Sequence, residues 1–261
     1  MKLIFVEGPP GSGKTTYAHK ITKRLEKKYN VKFFGEHSPE GIDISCQAYL
    51  SNKEFVNFLN KFDRINKSKY KSIIFKNTRF LNNKYCLVSY SYLQSSDYQI
   101  KNKLEYLYDK EISNRGFDLK IYYEILEIIW NDFFQRNNLE YDCLIFESAL
   151  IQTHLFNLKG YYNASDDECI NFIRKLLKLI DGFVEYEIHI TYSKDYPSKE
   201  VIANKYNSDN NSWEIGFERW LLNAPCIVPN TGILDFCNQC NKVYFKILKD
   251  LSFKTIEIKK E

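Results

Sequence analysis

The residues with the clearest chemical use open the chain: Gly8-Pro-Pro-Gly11-Ser12-Gly13-Lys14-Thr15, followed by Thr16. Their spacing is G-x-x-x-x-G-K-[ST], the pattern of a loop that cradles phosphate. Gly8, Gly11 and Gly13 can take positive φ and turn backbone N–H groups toward an anion with no Cβ in the way. Lys14 offers a cation to the β- and γ-phosphates, and the Thr15 hydroxyl can ligate Mg²⁺. A helix expected to open near Gly13 would aim its positive dipole end at the same anion. Gly8, Gly11, Ser12, Gly13, Lys14, Thr15 and Thr16 are therefore the candidate residues for binding ATP or GTP with Mg²⁺.

Carboxylates are the next requirement. Cys143 to Phe146 is a fully apolar run stopped by Glu147, the pattern of a buried parallel strand with an acid at its carboxyl end. Glu147 is the candidate second ligand for magnesium, beside Thr15. Glu36 follows the strand expected over Val31 to Phe34 and is the candidate general base or acceptor-hydroxyl contact. Glu7, directly before the loop, is read as part of the loop wall and given no part in the chemistry.

Charge developing on a transferred phosphoryl group calls for cations beyond the loop lysine. The chain has seven arginines. Arg24 and Arg174 fall in lysine-bearing helices and read as surface residues. Arg79, in a polar turn, and Arg219, just beyond a polar Asn/Ser/Asp-rich stretch, are the candidate catalytic cations. Lys199 and Lys205 in that stretch could serve instead, without the bidentate fork of arginine. The four histidines do not cluster, so a histidine metal site is not expected. Cys237-Asn-Gln-Cys240 is a lone C-x-x-C with no second pair, and reads as two ordinary helix positions.

The elements that must position these groups follow from the pattern. Leu3 to Val6 is the first strand, Lys14 to Tyr29 an amphipathic helix, and Val31 to Phe34 the second strand. Helices are expected over Asn52 to Phe62, Leu119 to Phe134, Asp166 to Ile180, Glu214 to Leu222 and within Ile233 to Leu251. Short strands are expected at Ser72 to Phe75 and Tyr85 to Tyr92, and core strands at Tyr186 to Tyr192 and Thr255 to Ile258. Strand alternating with helix argues for a parallel five-stranded α/β sheet with helices on both faces. The whole of 1–261 reads as one domain, with a large helical insertion at 45–138 on the substrate side and a lid at 193–212.

Of 261 residues, 44% are hydrophobic and 16% aromatic, which excludes general disorder. The formal charge of +4 suits a protein that handles phosphorylated anions and does not call for nucleic acid. No apolar run approaches a membrane span. The seven cysteines, with no leader pattern before the first strand, lead us to expect a reduced, cytoplasmic protein. The aromatic helix Leu119 to Phe134 could pack against a second copy as a homodimer.

Taken together, Phe-Val-Glu-Gly-Pro-Pro-Gly-Ser-Gly-Lys-Thr-Thr, Glu36 with Pro39 and Gly41, and Leu-Ile-Phe-Glu147 resemble the P-loop nucleotide and small-molecule kinases, thymidylate kinase in particular. The run Tyr141 to Gln152 also resembles bacterial P-loop NTPases of unassigned substrate. The resemblance implies a P-loop NTPase fold and an ATP- and Mg²⁺-dependent kinase acting on the hydroxyl or phosphate of a small-molecule acceptor. Two departures bear on the acceptor. Phe146-Glu147-Ser148 stands where thymidylate kinases have an Asp-Arg pair after the third strand, and 193–212 contains no arginine. Both favour a neutral acceptor hydroxyl, or a distinctive metabolite, over a nucleoside monophosphate. The alternative is a nucleotide-binding module or slow NTPase switch that acts through a macromolecular partner.

Overall fold

Leu3 to Val6 form the central strand of the parallel sheet. The computed structural model describes residues 1–62, 67–81, 83–94, 100, 102–137, 140–181, 185–192, 224–226, 232–251 and 255–259. Its elements begin with β1 (Lys2–Glu7), α1 (Lys14–Leu25), β2 (Val31–Phe34), β3 (Gln47–Ser51), α2 (Asn52–Leu59) and α3 (Lys67–Lys76). β4 (Thr78–Leu81), β5 (Tyr85–Ser89), the single turns α4 (Ser91–Gln94) and α5 (Glu105–Tyr108), and α6 (Leu119–Asn137) follow. β6 (Cys143–Glu147), α7 (Gln152–Tyr161), α8 (Asp166–Lys178), β7 (Glu185–Tyr192), α9 (Gly232–Asp250) and β8 (Thr255–Lys259) follow among the described residues.

The chain divides into two compact units, Met1–Glu36 with Asn137–Glu261, and His37–Arg136. The first is the parallel α/β sheet that the strand–helix alternation calls for, in the order β2-β6-β1-β7-β8. Every ladder in it is parallel. β6 is buried at every residue, and so is β1 from Leu3 onward, which is why both read as unbroken apolar runs rather than alternations. On one face Ile4, Val6, Cys143 and Ile145 pack with Ala18 and Ile21 of α1. On the other, Phe146 stacks between Phe5 and Phe34, with ring centroids 5.5 and 5.2 Å away. These three rings sit at matched register positions on three adjacent strands, so the aromatic ladder favours this pairing over a slipped one. α8 starts at a capping box, Ser165 with Glu168, and puts Asp166, Asp167 and Glu168 in its first turn, where the helix dipole favours them.

The second unit runs from His37 to Arg136 and departs from the helical insertion expected at 45–138. Its helices share it with a three-stranded antiparallel sheet in the order β3-β5-β4. Its core includes Leu50, Phe55, Phe58, Ile74, Val88, Leu93 and Leu104. Ser72 to Phe75, read as a strand, lies in α3. Tyr70 and Ile74, four residues apart, are buried positions of that helix; the three-residue apolar run Ile73 to Phe75 cannot by itself distinguish this from a strand. Among the described residues no helix is long and apolar enough to cross a membrane. The lid expected at 193–212 and the helix expected at Glu214 to Leu222 lie outside the described residues.

Candidate functional site

The loop expected to hold phosphate leaves β1 at its carboxyl end and enters α1. Gly8, Gly11 and Gly13 have φ of 151°, 79° and 89°, all in the region that disfavours a side chain. Gly8 is also fixed by space. A Cβ there would stand 2.2 Å from the Thr191 carbonyl oxygen, at the end of β7. The Ser12 and Thr191 hydroxyls are 2.7 Å apart, so the loop is tied to β7 at its tip as well as its base. Gly13 is the N-cap of α1 and, lacking a side chain, caps no N–H there. The first turn of α1 therefore presents its donors to whatever anion the loop receives.

Lys14 is only 5% exposed. Its Nζ donates to the Pro9 carbonyl at 3.1 Å and stands 3.9 Å from Glu36 Oε1. Thr15 Oγ1 donates to Glu147 Oε1 at 2.5 Å, within the range of a hydroxyl on an ionised carboxylate. Parallel pairing explains the meeting. Val6 lies opposite Glu147, so the strand-end acid of β6 and the loop after β1 emerge at the same edge. Phe34 lies opposite Phe146, which brings Glu36 to that edge from β2. Lys14, Thr15, Glu36 and Glu147 thus form one hydrogen-bonded and ion-paired set beyond the carboxyl ends of adjacent strands, where parallel α/β sheets bind ligands.

Magnesium takes hard oxygen ligands and is held by one or two protein groups together with phosphate oxygens. Thr15 Oγ1 and Glu147 match that donor set. Among the described residues no three His, Cys, Asp or Glu side chains stand close enough to hold a metal by themselves.

Three further residues complete the set without having been singled out for chemistry from sequence. Ser148 Oγ donates to Glu36 Oε1 at 2.5 Å, and Gln152 Nε2 lies 3.5 Å from the same oxygen. Ser148 has φ of 58°, a left-handed conformation unusual for a residue with a Cβ. Thr191 anchors the loop. Their one sequence signal is position: Ser148 directly follows a strand-end acid, and Thr191 lies next to the last residue of a strand.

Glu7 also has more to do than line a wall. It is wholly buried, and its two oxygens accept the N–H groups of Leu150 at 2.8 Å and Gln152 at 3.1 Å. Burial pushes its carboxyl up to about 7, against the pull of those hydrogen bonds and of the Lys14 charge.

Arg79, a candidate cation read as part of a polar turn, lies on β4 in the second unit. Its Nη1 donates to the carbonyls of Glu40 and Gly41, and its Nε stands 4.0 Å from Asp132. Burial lowers the guanidinium to about 10, which leaves it charged at neutral pH. Arg219, Lys199 and Lys205 lie outside the described residues. His37, which sequence leaves isolated, has a defined setting within the second unit. Its Nδ1 is 2.9 Å from Ser45 Oγ, and Ser45 Oγ in turn donates to Asp43 at 2.5 Å.

No family model matches this chain, and no curated protein matches it. Among solved structures, the chain is similar to a plasmid partition protein from Borrelia burgdorferi B31 bound to AMPPNP. The match covers 95% of this chain and 99% of that one, at 12% identity and a TM-score of 0.30. A likeness that slight assigns neither fold nor function.

Proposed function

We propose that this protein is a nucleoside triphosphate- and Mg²⁺-dependent phosphotransferase that phosphorylates a hydroxyl of a small-molecule acceptor. The observation that carries the reading is the Thr15–Glu147 hydrogen bond at the mouth of a glycine-rich loop, with Lys14 and Glu36 beside it. The loop's N–H groups and Lys14 would hold the triphosphate, ATP or GTP. Thr15 and Glu147 would hold Mg²⁺, which when bound neutralises charge on the phosphate oxygens. Glu36, held by Ser148 and Gln152, would accept the proton of the attacking hydroxyl and keep it in line. The residue after the strand-end acid is Ser148, whose hydroxyl serves Glu36, so no guanidinium stands there to neutralise an acceptor phosphate. That favours a neutral hydroxyl.

The test is ADP release from Mg·ATP by the purified protein, alone and with pooled nucleosides, nucleotides and hydroxylated metabolites, beside Lys14→Ala. One pool should raise release at least about tenfold, and Lys14→Ala should abolish it. Tight ATP binding with no pool lifting the basal rate would overturn the reading in favour of a nucleotide-dependent binding module.

A further inference from the structure

α7 begins without a cap of its own. Its N-cap position is Ile151, whose side chain offers no hydrogen-bond acceptor. The acceptor comes instead from Glu7, at the end of a different element and 143 residues earlier in the chain. One Glu7 oxygen takes the Leu150 N–H, the other the Gln152 N–H. The preceding turn is fastened to the same strand end. Ser148 N–H donates to the Val6 carbonyl at 3.0 Å, and the Thr153 hydroxyl closes back on the Ser148 carbonyl at 2.9 Å. The whole step from β6 into α7 is therefore pinned to the last two residues of β1, immediately before the glycine-rich loop.

That step carries the two side chains that hold Glu36. Gln152 is the telling one. Its Nε2 faces Glu36, while its buried Oε1 has no hydrogen-bond partner among the described residues. Its backbone N–H is bound by Glu7, so that carboxylate fixes the point from which the amide reaches Glu36. A buried carboxylate is also a costly way to satisfy two N–H groups if stability is the sole benefit. Lys14 from α1 and Tyr244 from α9 are the other ionisable groups that face Glu7 among the described residues, and the buried Tyr244 hydroxyl makes no hydrogen bond to any of those residues.

We propose that Glu7 is a positioning residue: it caps α7 from outside the helix and so holds Ser148 and Gln152 on Glu36, setting the acceptor-side carboxylate beside the phosphate loop. Its activity readouts rest on the phosphotransferase reading above; its structural readouts do not.

The experiment compares wild type, Glu7→Gln, Gln152→Ala and the double variant. Hydrogen exchange should be about tenfold faster or more over 148–153 in Glu7→Gln, with α8 unchanged. Nucleotide affinity should stay within about twofold, while kcat with the acceptor falls about tenfold or more. The double variant should be no worse than the poorer single one, because both act through the same contact. Unchanged exchange over 148–153 overturns the proposal, and so do multiplicative losses in kcat. If Glu7→Gln does not fold, Gln152→Ala and Ser148→Ala decide the matter: lowered kcat at unchanged nucleotide affinity supports it, unchanged kcat overturns it. If wild type phosphorylates nothing, the phosphotransferase reading fails by itself. Exchange, with a Glu7→Gln/Glu36→Gln cycle in thermal unfolding, then still decides the role of Glu7: coupled effects support it and additive ones overturn it.

Discussion

Thr15 Oγ1 donates to Glu147 Oε1 at 2.5 Å although 132 residues separate them in the chain. The contact exists because β1 and β6 are immediate neighbours in a parallel sheet, so the loop after one strand and the acid ending the other share an edge. A helix-borne hydroxyl and a strand-borne carboxylate placed this way give a small hard cation two oxygen ligands without a dedicated cage.

Glu147→Gln keeps the shape of that contact and removes its charge. Turnover with Mg·ATP should fall about a hundredfold or more, and more magnesium should be needed for half-maximal rate. Titrating magnesium at fixed ATP measures both; an unchanged magnesium dependence would remove Glu147 from the metal site.

Gly8→Ala sets a Cβ 2.2 Å from the Thr191 carbonyl, at a φ of 151°. The new Cβ meets a backbone oxygen there, so the clash cannot be relieved by rotating a side chain. A loss of about 2–4 kcal/mol is expected, together with loss of nucleotide binding. Denaturant unfolding and nucleotide titration test it; a variant as stable as wild type would mean the loop start yields.

Two buried carboxyls set a pH dependence of stability. Burial pushes Glu7 up to about 7, and Glu111, which accepts Tyr90 Oη–H and Cys46 N–H in the second unit, likewise to about 7. Each binds its proton more tightly folded than unfolded. The stability each contributes is full below about 4.5 and is lost as pH rises toward about 7. Thermal melts from pH 4 to 8 should show this loss, and Glu7→Gln and Glu111→Gln should each flatten the slope in that window. Slopes identical to wild type in both would refute the assignment.

Arg79 is committed to its own unit, with Nη1 on two backbone carbonyls of the 40–41 turn. Arg79→Ala leaves those carbonyls and the half-buried Asp132 without that partner, at a cost of about 2 kcal/mol. Nucleotide affinity should hold. Unchanged stability with a large loss of kcat would instead support the catalytic role expected of Arg79.

His37 and Cys46 are non-glycine residues with φ of 65° and 55° at the two ends of a turn closed by Asp43. His37→Gly should relieve the backbone strain but lose the Ser45 contact, for a net change within about 1 kcal/mol. A large loss of stability on unfolding would show that the imidazole contact outweighs the strain.

Much of this was legible in the chain itself. Glycine spacing is a local demand, since positive φ and close approach to an anion need no knowledge of the rest of the fold. Gly8, Gly11 and Gly13 therefore announce the loop from sequence. The unbroken apolar runs of β1 and β6 likewise announce strands buried on both faces, and an acid at the end of such a run marks the sheet edge. Ser72 to Phe75 reads as a strand because three apolar residues fit either period, and packing by Tyr70 and Ile74 chooses the helix. Glu7 was passed over because nothing in its neighbours reveals that it will be buried under the start of α7.

The sequence alone determined which residues could bind phosphate and where the strands of the parallel sheet would lie, because those follow from side-chain and backbone preferences over a few residues. Tertiary structure decided which strand lies beside which. That choice rests on contacts between segments more than a hundred residues apart, such as Phe146 between Phe5 and Phe34. Only that pairing brings Glu147 to Thr15, Glu36 to Ser148, and the buried carboxylate of Glu7 to the helix that it caps.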